Sequence, residues 1–377
     1  MAELDVCIRG AGPVGSTLAL LLAQQRLRVG LVAGATPVEA DIRAFALNAA
    51  SRTVLDSLRC WPDGASPVAQ MQVHGDAGGM VRFDAAAQGL PALAWVVDAQ
   101  GLTQRLHQAV AFQPQITRFA EPQAATLTVV CEGKASDTRT QFNVDFEVTP
   151  YEQTAIAARL SCELPHAQTA HQWFSQGEVL ALLPLLSSGN ATDSSESAEA
   201  LGNSVALVWS VDTARAQDLM ALEGSAFCEQ LQAACGQVLG PMQLLTERAA
   251  WPLQLARAKQ WVGPGWALAG DAAHTVHPLA GQGLNLGLAD AAGLAQVLRD
   301  RQGADYWRSV ADKKLLRRYA RARQTDALAL GLATDGLQQL FAQTAGPWVQ
   351  LRNLGMNGFE ALTPLKKWVA QQAAGRS

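Results

Sequence analysis

Short apolar runs bounded by glycine or proline alternate along the chain with longer runs of helical period. Leu4–Ile8 predicts a buried strand, Gly10–Gly15 a tight turn, Ser16–Arg26 a helix and Arg28–Ala33 a second strand. Together they span about 30 residues, the size of one βαβ unit, whose right-handed crossover makes its two strands parallel neighbours. From Met71 to Val97 apolar and polar positions alternate between Gly and Pro breaks, which predicts sheet away from that first unit. Gly101–Val110 predicts a helix and Ala124–Val130 a strand. Between Tyr151 and Trp261 strands dominate, among them Thr154–Leu160, Val179–Leu183 and Val205–Trp209, with one helix at Gly224–Cys235. Ser187–Asn203, rich in Ser, Gly, Asn and acidic residues, predicts a surface loop. Trp266–Ala269 is again a buried strand, and everything after Leu284 is mainly helical. There is no internal repeat. Strands at both ends that complete one nucleotide fold imply a discontinuous α/β domain with a second, sheet-rich domain inserted.

Composition narrows the function classes. Of 377 residues 49% are hydrophobic and 16% charged, enough for a large core. A net charge of −4 argues against a nucleic-acid partner, which requires a basic field. Cys7, Cys60, Cys131, Cys162, Cys228 and Cys235 contain no C-x-x-C pair, so reduced, mostly buried thiols are expected. Met1-Ala-Glu-Leu-Asp5 has no basic leader or cleavage site, and no apolar run reaches the ~20 residues of a spanning helix. The cytoplasm is the expected location, with peripheral membrane contact left open. His274 and His277 lack the acidic partner of a metal set, no metal is expected, and no G-x-S-x-G elbow supports a hydrolase. His166 and His171 take no role.

Two motifs carry chemistry. In Gly10-Ala-Gly12-Pro13-Val14-Gly15, after a strand and opening a helix, Gly10 permits the turn. Gly12 leaves room for a pyrophosphate and Gly15 lets helix and strand approach. The helix N-terminus offers unpaired N–H groups to the phosphate. The second strand ends Val29-Gly-Leu-Val32-Ala33, so the ribose-binding carboxylate expected there is missing; its loss costs about 1.5–3 kcal/mol. The second motif is Gly270-Asp271-Ala-Ala-His274, delivered by Trp266–Ala269 at the sheet edge where α/β folds bind ligands. It continues after Pro278 as Leu-Ala-Gly281-Gln282-Gly283-Leu284-Asn285. Asp271 can accept hydrogen bonds from a polyol chain. The glycines let amides approach a flat ring, and the helix beginning near Leu284 aims its positive end there.

In this order the motifs resemble the class A FAD-dependent aromatic hydroxylases, and within them the hydroxylases of ubiquinone biosynthesis. The resemblance covers nearly the whole chain. It adds Asp41-x-Arg43-x-x-Ala46-Leu47 as an arginine motif, Gln100 as a flavin-phosphate contact, and Arg248–Leu253 as the strand before the last flavin segment. The tail from Leu351 through Lys366-Lys367 to Gly375 matches the family's C-terminal helices. The family's Asp-Gly segment stands here as Glu132-Gly133-Lys134-Ala-Ser136-Asp-Thr-Arg139, followed by a shortened Thr140–Val148.

The implied fold is a Rossmann-like FAD-binding domain (1–70, 99–150, 262–330), an inserted, mainly antiparallel substrate sheet (71–98, 151–261) and a C-terminal helical segment (331–377). The implied cofactor ligands are Gly10, Gly12, Pro13, Val14, Gly15, Arg43, Gln100, Gly270, Asp271, Gly281, Gln282, Gly283, Leu284 and Asn285; no catalytic side chain is assigned. NAD(P)H is the implied co-substrate: it reduces FAD, dioxygen adds at flavin C4a, and the hydroperoxide hydroxylates an electron-rich ring of a hydrophobic prenylated phenol. Ala33 and Glu132 keep a rival reading open, a degenerate subunit that binds or assembles with other quinone-biosynthesis proteins. A third is a flavin reductase or dehydrogenase without oxygen insertion. Lys313–Arg323 is a basic amphipathic helix with Leu315, Leu316, Tyr319 and Ala320 as its apolar stripe. It is either a solvated face or an anchor to anionic lipid.

Overall fold

The computed structural model describes residues 3–33, 41–75, 78–186, 202–276 and 282–342, with the side chains of 304, 330 and 332–342 left aside. Its chain begins with the expected unit: β1 (Leu4–Arg9), α1 (Pro13–Ala23) and β2 (Val29–Val32). The helix starts at Pro13 rather than Ser16, because Gly12 caps it in extended conformation and Pro13 presets the first helical φ. Every residue of β2 is buried, as in the middle of a sheet covered on both faces. There follow β3 (Ala44–Leu47), α2 (Ala49–Ser57), β4 (Ser66–Val68), β5 (Gln70–His74), β6 (Met80–Asp84), β7 (Ala94–Asp98) and α3 (Ala99–Ala111). Asn48 and Asp98 start α2 and α3, their side chains accepting from the amides of Ser51 and Gly101.

Next come β8 (Ile116–Phe119), β9 (Ala125–Val130), α4 (Asp137–Gln141), β10 (Phe146–Cys162), β11 (Thr169–Ser175), β12 (Glu178–Leu185) and β13 (Ser204–Asp212). The chain continues through α5 (Thr213–Ala221), α6 (Gly224–Cys235), β14 (Met242–Leu244), β15 (Ala249–Ala258), β16 (Val262–Gly263), β17 (Trp266–Leu268) and β18 (His274–Thr275). It finishes with α7 (Gln282–Ala304) and α8 (Lys313–Ala342).

One sheet has the order β16-β17-β9-β1-β2-β8, with β17, β9, β1, β2 and β8 parallel. Its last parallel strand, β17, returns to pair with β9 after the intervening strands have gone to a second sheet. That larger sheet runs β18-β15-β10-β13-β12-β11-β5-β6 and is antiparallel except where β5 joins β11. The register along β10 shifts between Pro150 and Thr154, a bulge that bends its 17 residues. Helices α5 and α6 cover one face of this sheet, where Phe227 and Leu231 of α6 share a core with Trp209 of β13. Helix α5 was not expected; it is short, and only Ala216 and Leu219 on it are buried.

The strands expected together in 71–98 separate. β5 and β6 extend the large sheet, whereas β7 pairs with β3 and β4 in a three-stranded sheet wedged between the two cores. The reason is strand alternation: Val96 packs with Ala170 of the large sheet, while its neighbour Val97 packs with α1 and β1. On α8 the expected stripe of Leu315, Leu316, Tyr319 and Ala320 is buried. The loop expected at Ser187–Asn203 and the C-terminal segment beyond 342 fall largely or wholly outside the described residues.

Candidate functional site

The glycine turn is built as its spacing requires. Gly10 has φ +109°, and a Cβ there would lie 2.3 Å from the Cys131 carbonyl oxygen; one on Gly15 would lie 1.9 Å from the Gly10 oxygen. These two positions admit no side chain, because backbone occupies the space. Gly12 is different: it is exposed, and a Cβ on it would meet nothing within 4 Å. It caps α1 without a side-chain acceptor, so the first-turn amides face an open space at the positive end of the helix. Val14 points the other way. Its methyls are 3.3 Å from where a Gly270 Cβ would be and 2.6 Å from a Cβ on Gly287, so turn, strand end and α7 are packed together. At the end of β2, the Ala33 amide donates to Phe119 O, and no carboxylate stands there among the described residues.

Gly270 follows β17 with φ +64°, and its amide donates to Asp290 Oδ2 at 2.9 Å. Asp271, in a single 3-10 turn, accepts no hydrogen bond among the described residues. The carboxyl sits in a recess that solvent reaches but protein largely surrounds. Burial pushes its pKa up, the positive charges of Lys134, His274 and Arg43 draw it down, and Asp290 adds to the rise. A carboxylate held without a partner at a strand end awaits a donor. Arg43, from β3's approach, faces the same recess. Its guanidinium is held by both oxygens of Asp41 at 2.8 and 2.7 Å, and those bonds raise its pKa further. Arg159 of β10 steadies this segment, donating to Ile42 O at 3.2 Å and pairing with Asp98, the cap of α3.

Beneath the recess lies a buried ionic cluster that sequence reasoning left unassigned. Asp290, fully buried on α7, accepts from His274 Nε2 at 2.6 Å and Arg323 Nε at 2.9 Å as well as from Gly270. Tyr319 OH donates to Leu268 O at 2.8 Å beside it, and burial raises its pKa well above the phenolic value. His274 thus acts as a structural hydrogen-bonding residue. A signal for Arg323 existed: it continues the Leu316, Tyr319, Ala320 stripe by one turn and therefore points inward.

The remaining expected ligands divide. Gly281 lies outside the described residues, as does His277, which is not among the expected ligands. Gln282, Gly283 and Leu284 form the first turn of α7; a Cβ on Gly283 would meet nothing within 4 Å, and Leu284 packs on the main core. The Asn285 side chain is committed to protein. Its Oδ1 accepts from Asn48 N at 3.0 Å and Ser51 Oγ at 2.7 Å, and its Nδ2 donates to Ala46 O at 2.8 Å, locking α7 to the arginine motif. Gln100 is exposed on the first turn of α3.

Glu132, in place of the family's Asp, accepts from Ser136 Oγ, Thr138 Oγ1 and Thr138 N at 2.7, 2.6 and 3.3 Å. The longer side chain does the work of a local clamp. Arg139, buried and stacked on Phe146, donates to Ala272 O at 3.2 Å and Lys134 O at 2.9 Å, tying this segment to the turn that holds Asp271.

These residues fit a dinucleotide of the FAD type. Open space over Gly12 at a helix N-terminus suits a pyrophosphate, and Asp271, without a hydrogen-bond donor among the described residues, suits a polyol chain. The first turn of α7, with open space at Gly283 among the described residues, suits an electron-rich ring. A family model described as "FAD binding domain" matches residues 84–330, about two thirds of the chain. The chain belongs to the FAD-dependent aromatic hydroxylases. Within this family it is 29% identical to the 3-demethoxyubiquinol 3-hydroxylase of Escherichia coli (strain K12), over 98% of both chains. It is 30% identical to the ubiquinone hydroxylase UbiL of Rhodospirillum rubrum, over 98% of this chain and 89% of that one. In fold it superposes on the p-nitrophenol 4-monooxygenase PnpA of Pseudomonas putida with a TM-score of 0.75 at 16% identity, over 98% and 97% of the two chains.

Proposed function

We propose that this protein is an FAD-dependent monooxygenase that hydroxylates the aromatic ring of a prenylated phenol or quinone precursor in ubiquinone biosynthesis, with NAD(P)H and dioxygen as co-substrates. The observation that supports this most is the packing of Val14, from the glycine turn, against Gly270 and Gly287, which ties the α1 N-terminus to the strand end that carries Asp271 and to α7, with Arg43 and Lys134 acting on the Asp271 carboxyl. When bound, FAD supplies oxygen activation; the chain supplies position, charge and dryness. The first-turn amides of α1 bind the pyrophosphate, and Asp271 accepts from the polyol. The amides of Gln282, Gly283 and Leu284 with the α7 dipole stabilise negative charge on the adjacent ring. The large sheet supplies the apolar walls that exclude water from the substrate ring.

No helix among the described residues is long and apolar enough to cross a membrane. The substrate's prenyl chain nevertheless belongs to a bilayer, so we place the protein in the cytoplasm and in contact with that membrane's surface. Ala33 favours a weaker hold on the adenosine end, whereas Glu132, fully engaged with Ser136 and Thr138, is no sign of degeneration.

The test is a spectrum followed by a product. Purified protein should carry, or take up, one flavin per chain, and substrate-stimulated NAD(P)H oxidation should yield a product one oxygen heavier. Protein that stays colourless with added FAD points instead to assembly with other quinone-biosynthesis proteins. Peroxide release with no hydroxylated product from any prenylated phenol would overturn the monooxygenase reading.

A further inference from the structure

We infer that the corner between α7 and α8 docks the protein on an anionic lipid bilayer; the inference rests on the proposal that the substrate is prenylated. The chain carries 29 Lys and Arg in all and a net charge of −4, yet Arg299–Arg323 holds nine of those cations against three acids. A basic face on an acidic protein is a local feature rather than a consequence of composition.

The structure sorts those cations by role. Arg323 is consumed by Asp290 in the core. Arg301 and Arg308 stitch the corner: Arg301 donates to Arg308 O at 2.7 Å, and Arg308 bridges Asp305 and Asp312 at 2.9 and 3.1 Å. Arg318 pairs with Asp300 on α7. Lys313, Lys314, Arg317 and Arg321 are exposed and, among the described residues, make no ion pair. They lie on the side of α8 opposite its buried Leu315, Leu316, Tyr319 and Ala320.

At the tip of the same corner stand Tyr306 and Trp307, 72% and 65% exposed, their rings edge to face at 5.3 Å. Two large aromatic rings left in water on the turn that leads into α8, whose first turns carry four cations with no ion pair among the described residues, are what a bilayer interface accommodates. The rings sit at headgroup depth and the cations meet the anionic lipid charge. Arg301, donating to the Tyr306 and Arg308 carbonyls, and Arg308, bridging Asp305 and Asp312, brace the backbone of the turn that carries the rings, which lowers the ordering cost of docking. A prenylated substrate dissolved in that bilayer makes such docking useful.

The experiment is vesicle co-sedimentation of the full chain. One set of vesicles is phosphatidylcholine alone, and the other contains about one third phosphatidylglycerol. Wild type should bind the anionic vesicles, bind the neutral ones far less, and be released by high salt. At about one decade in affinity for every 1.4 kcal/mol, Lys313→Gln/Lys314→Gln/Arg317→Gln should bind them about a hundredfold more weakly. Trp307→Ala should lose several-fold.

All four substitutions are on exposed side chains and leave the core intact. Equal binding of wild type and the triple variant, or no preference for anionic vesicles, overturns the inference. So does retention on heparin without vesicle binding, the outcome expected of an acidic protein partner or a second copy. Turnover of a short-chain, water-soluble phenol separates the two readings. If the analogue is hydroxylated but vesicles are not bound, the docking surface is wrong and the monooxygenase stands. If vesicles are bound but no ring is ever hydroxylated, the reverse holds.

Discussion

Asp271 should pull stability and cofactor binding in opposite directions. The carboxyl accepts no described hydrogen bond and its pKa is raised by burial. As pH rises, the unfolded chain therefore ionises this group before the folded one does. The contribution to folding is fully present below the unfolded value near 3.8 and is lost as pH rises through the folded pKa. At pH 7 the ionised carboxylate is thus a net cost to the apoprotein, and Asp271→Asn removes that cost while keeping the shape. The same change deletes a charged acceptor for the cofactor's polyol chain. A hydrogen bond to a charged group contributes about 1.5–3 kcal/mol, so flavin affinity should fall about ten- to a hundredfold.

The assay has two arms. Flavin is titrated into apoprotein and followed by absorbance and fluorescence, and flavin-free protein is unfolded thermally at pH 7 and at stepwise lower pH down to about 4. The variant should melt above wild type at pH 7, with the gap narrowing as pH falls toward the unfolded value near 3.8, and should bind flavin more weakly. Unchanged flavin affinity would remove Asp271 from the site. An apo variant that melts below wild type at pH 7 would mean that the carboxylate has a protein donor after all, and the argument from an unpartnered charge would fail.

The glycine turn allows a sharper separation of fold from binding. Gly12→Ala, with open space around its new methyl, should leave the apoprotein's unfolding within about 0.5 kcal/mol yet weaken flavin binding at least about tenfold. Gly15→Ala, driven into the Gly10 carbonyl, should damage both, and identical behaviour of the two variants in denaturant titrations would contradict the geometry. Arg323→Met strips Asp290 of its guanidinium partner and should cost about 3–5 kcal/mol in guanidinium unfolding, a loss under about 1 kcal/mol being incompatible with a buried, unscreened pair.

His171, stacked with His74 and Trp173, has its pKa lowered to about 4 by burial and by the neighbouring His74. Unfolded chain gains this proton first, so stability present above about pH 6.5 should be lost as pH falls toward 4, by about 3 kcal/mol in total. His171→Phe should flatten that slope in equilibrium unfolding measured across the range. A slope as steep as wild type would assign the acid sensitivity elsewhere.

Period and spacing determined much of this protein. The Gly10–Gly15 turn, the strand that delivers Gly270-Asp271 and the inward stripe of α8 are local patterns, because steric limits on φ and the 3.6-residue repeat act over a few neighbours. The absence of a carboxylate at Ala33 was equally visible. Tertiary structure decided what those segments meet. Val96 and Val97 belong to different cores because β7 is wedged between two sheets, which alternation alone does not reveal. Asn285 clamps α7 to Ala46 and Asn48 because those backbones converge from positions some 240 residues apart. Asp290, His274 and Arg323 form one ionic cluster because burial removes water and leaves each charge only the partners that folding brings within about 3 Å. The chain's order specifies the pieces; desolvation and close packing decide which of them touch.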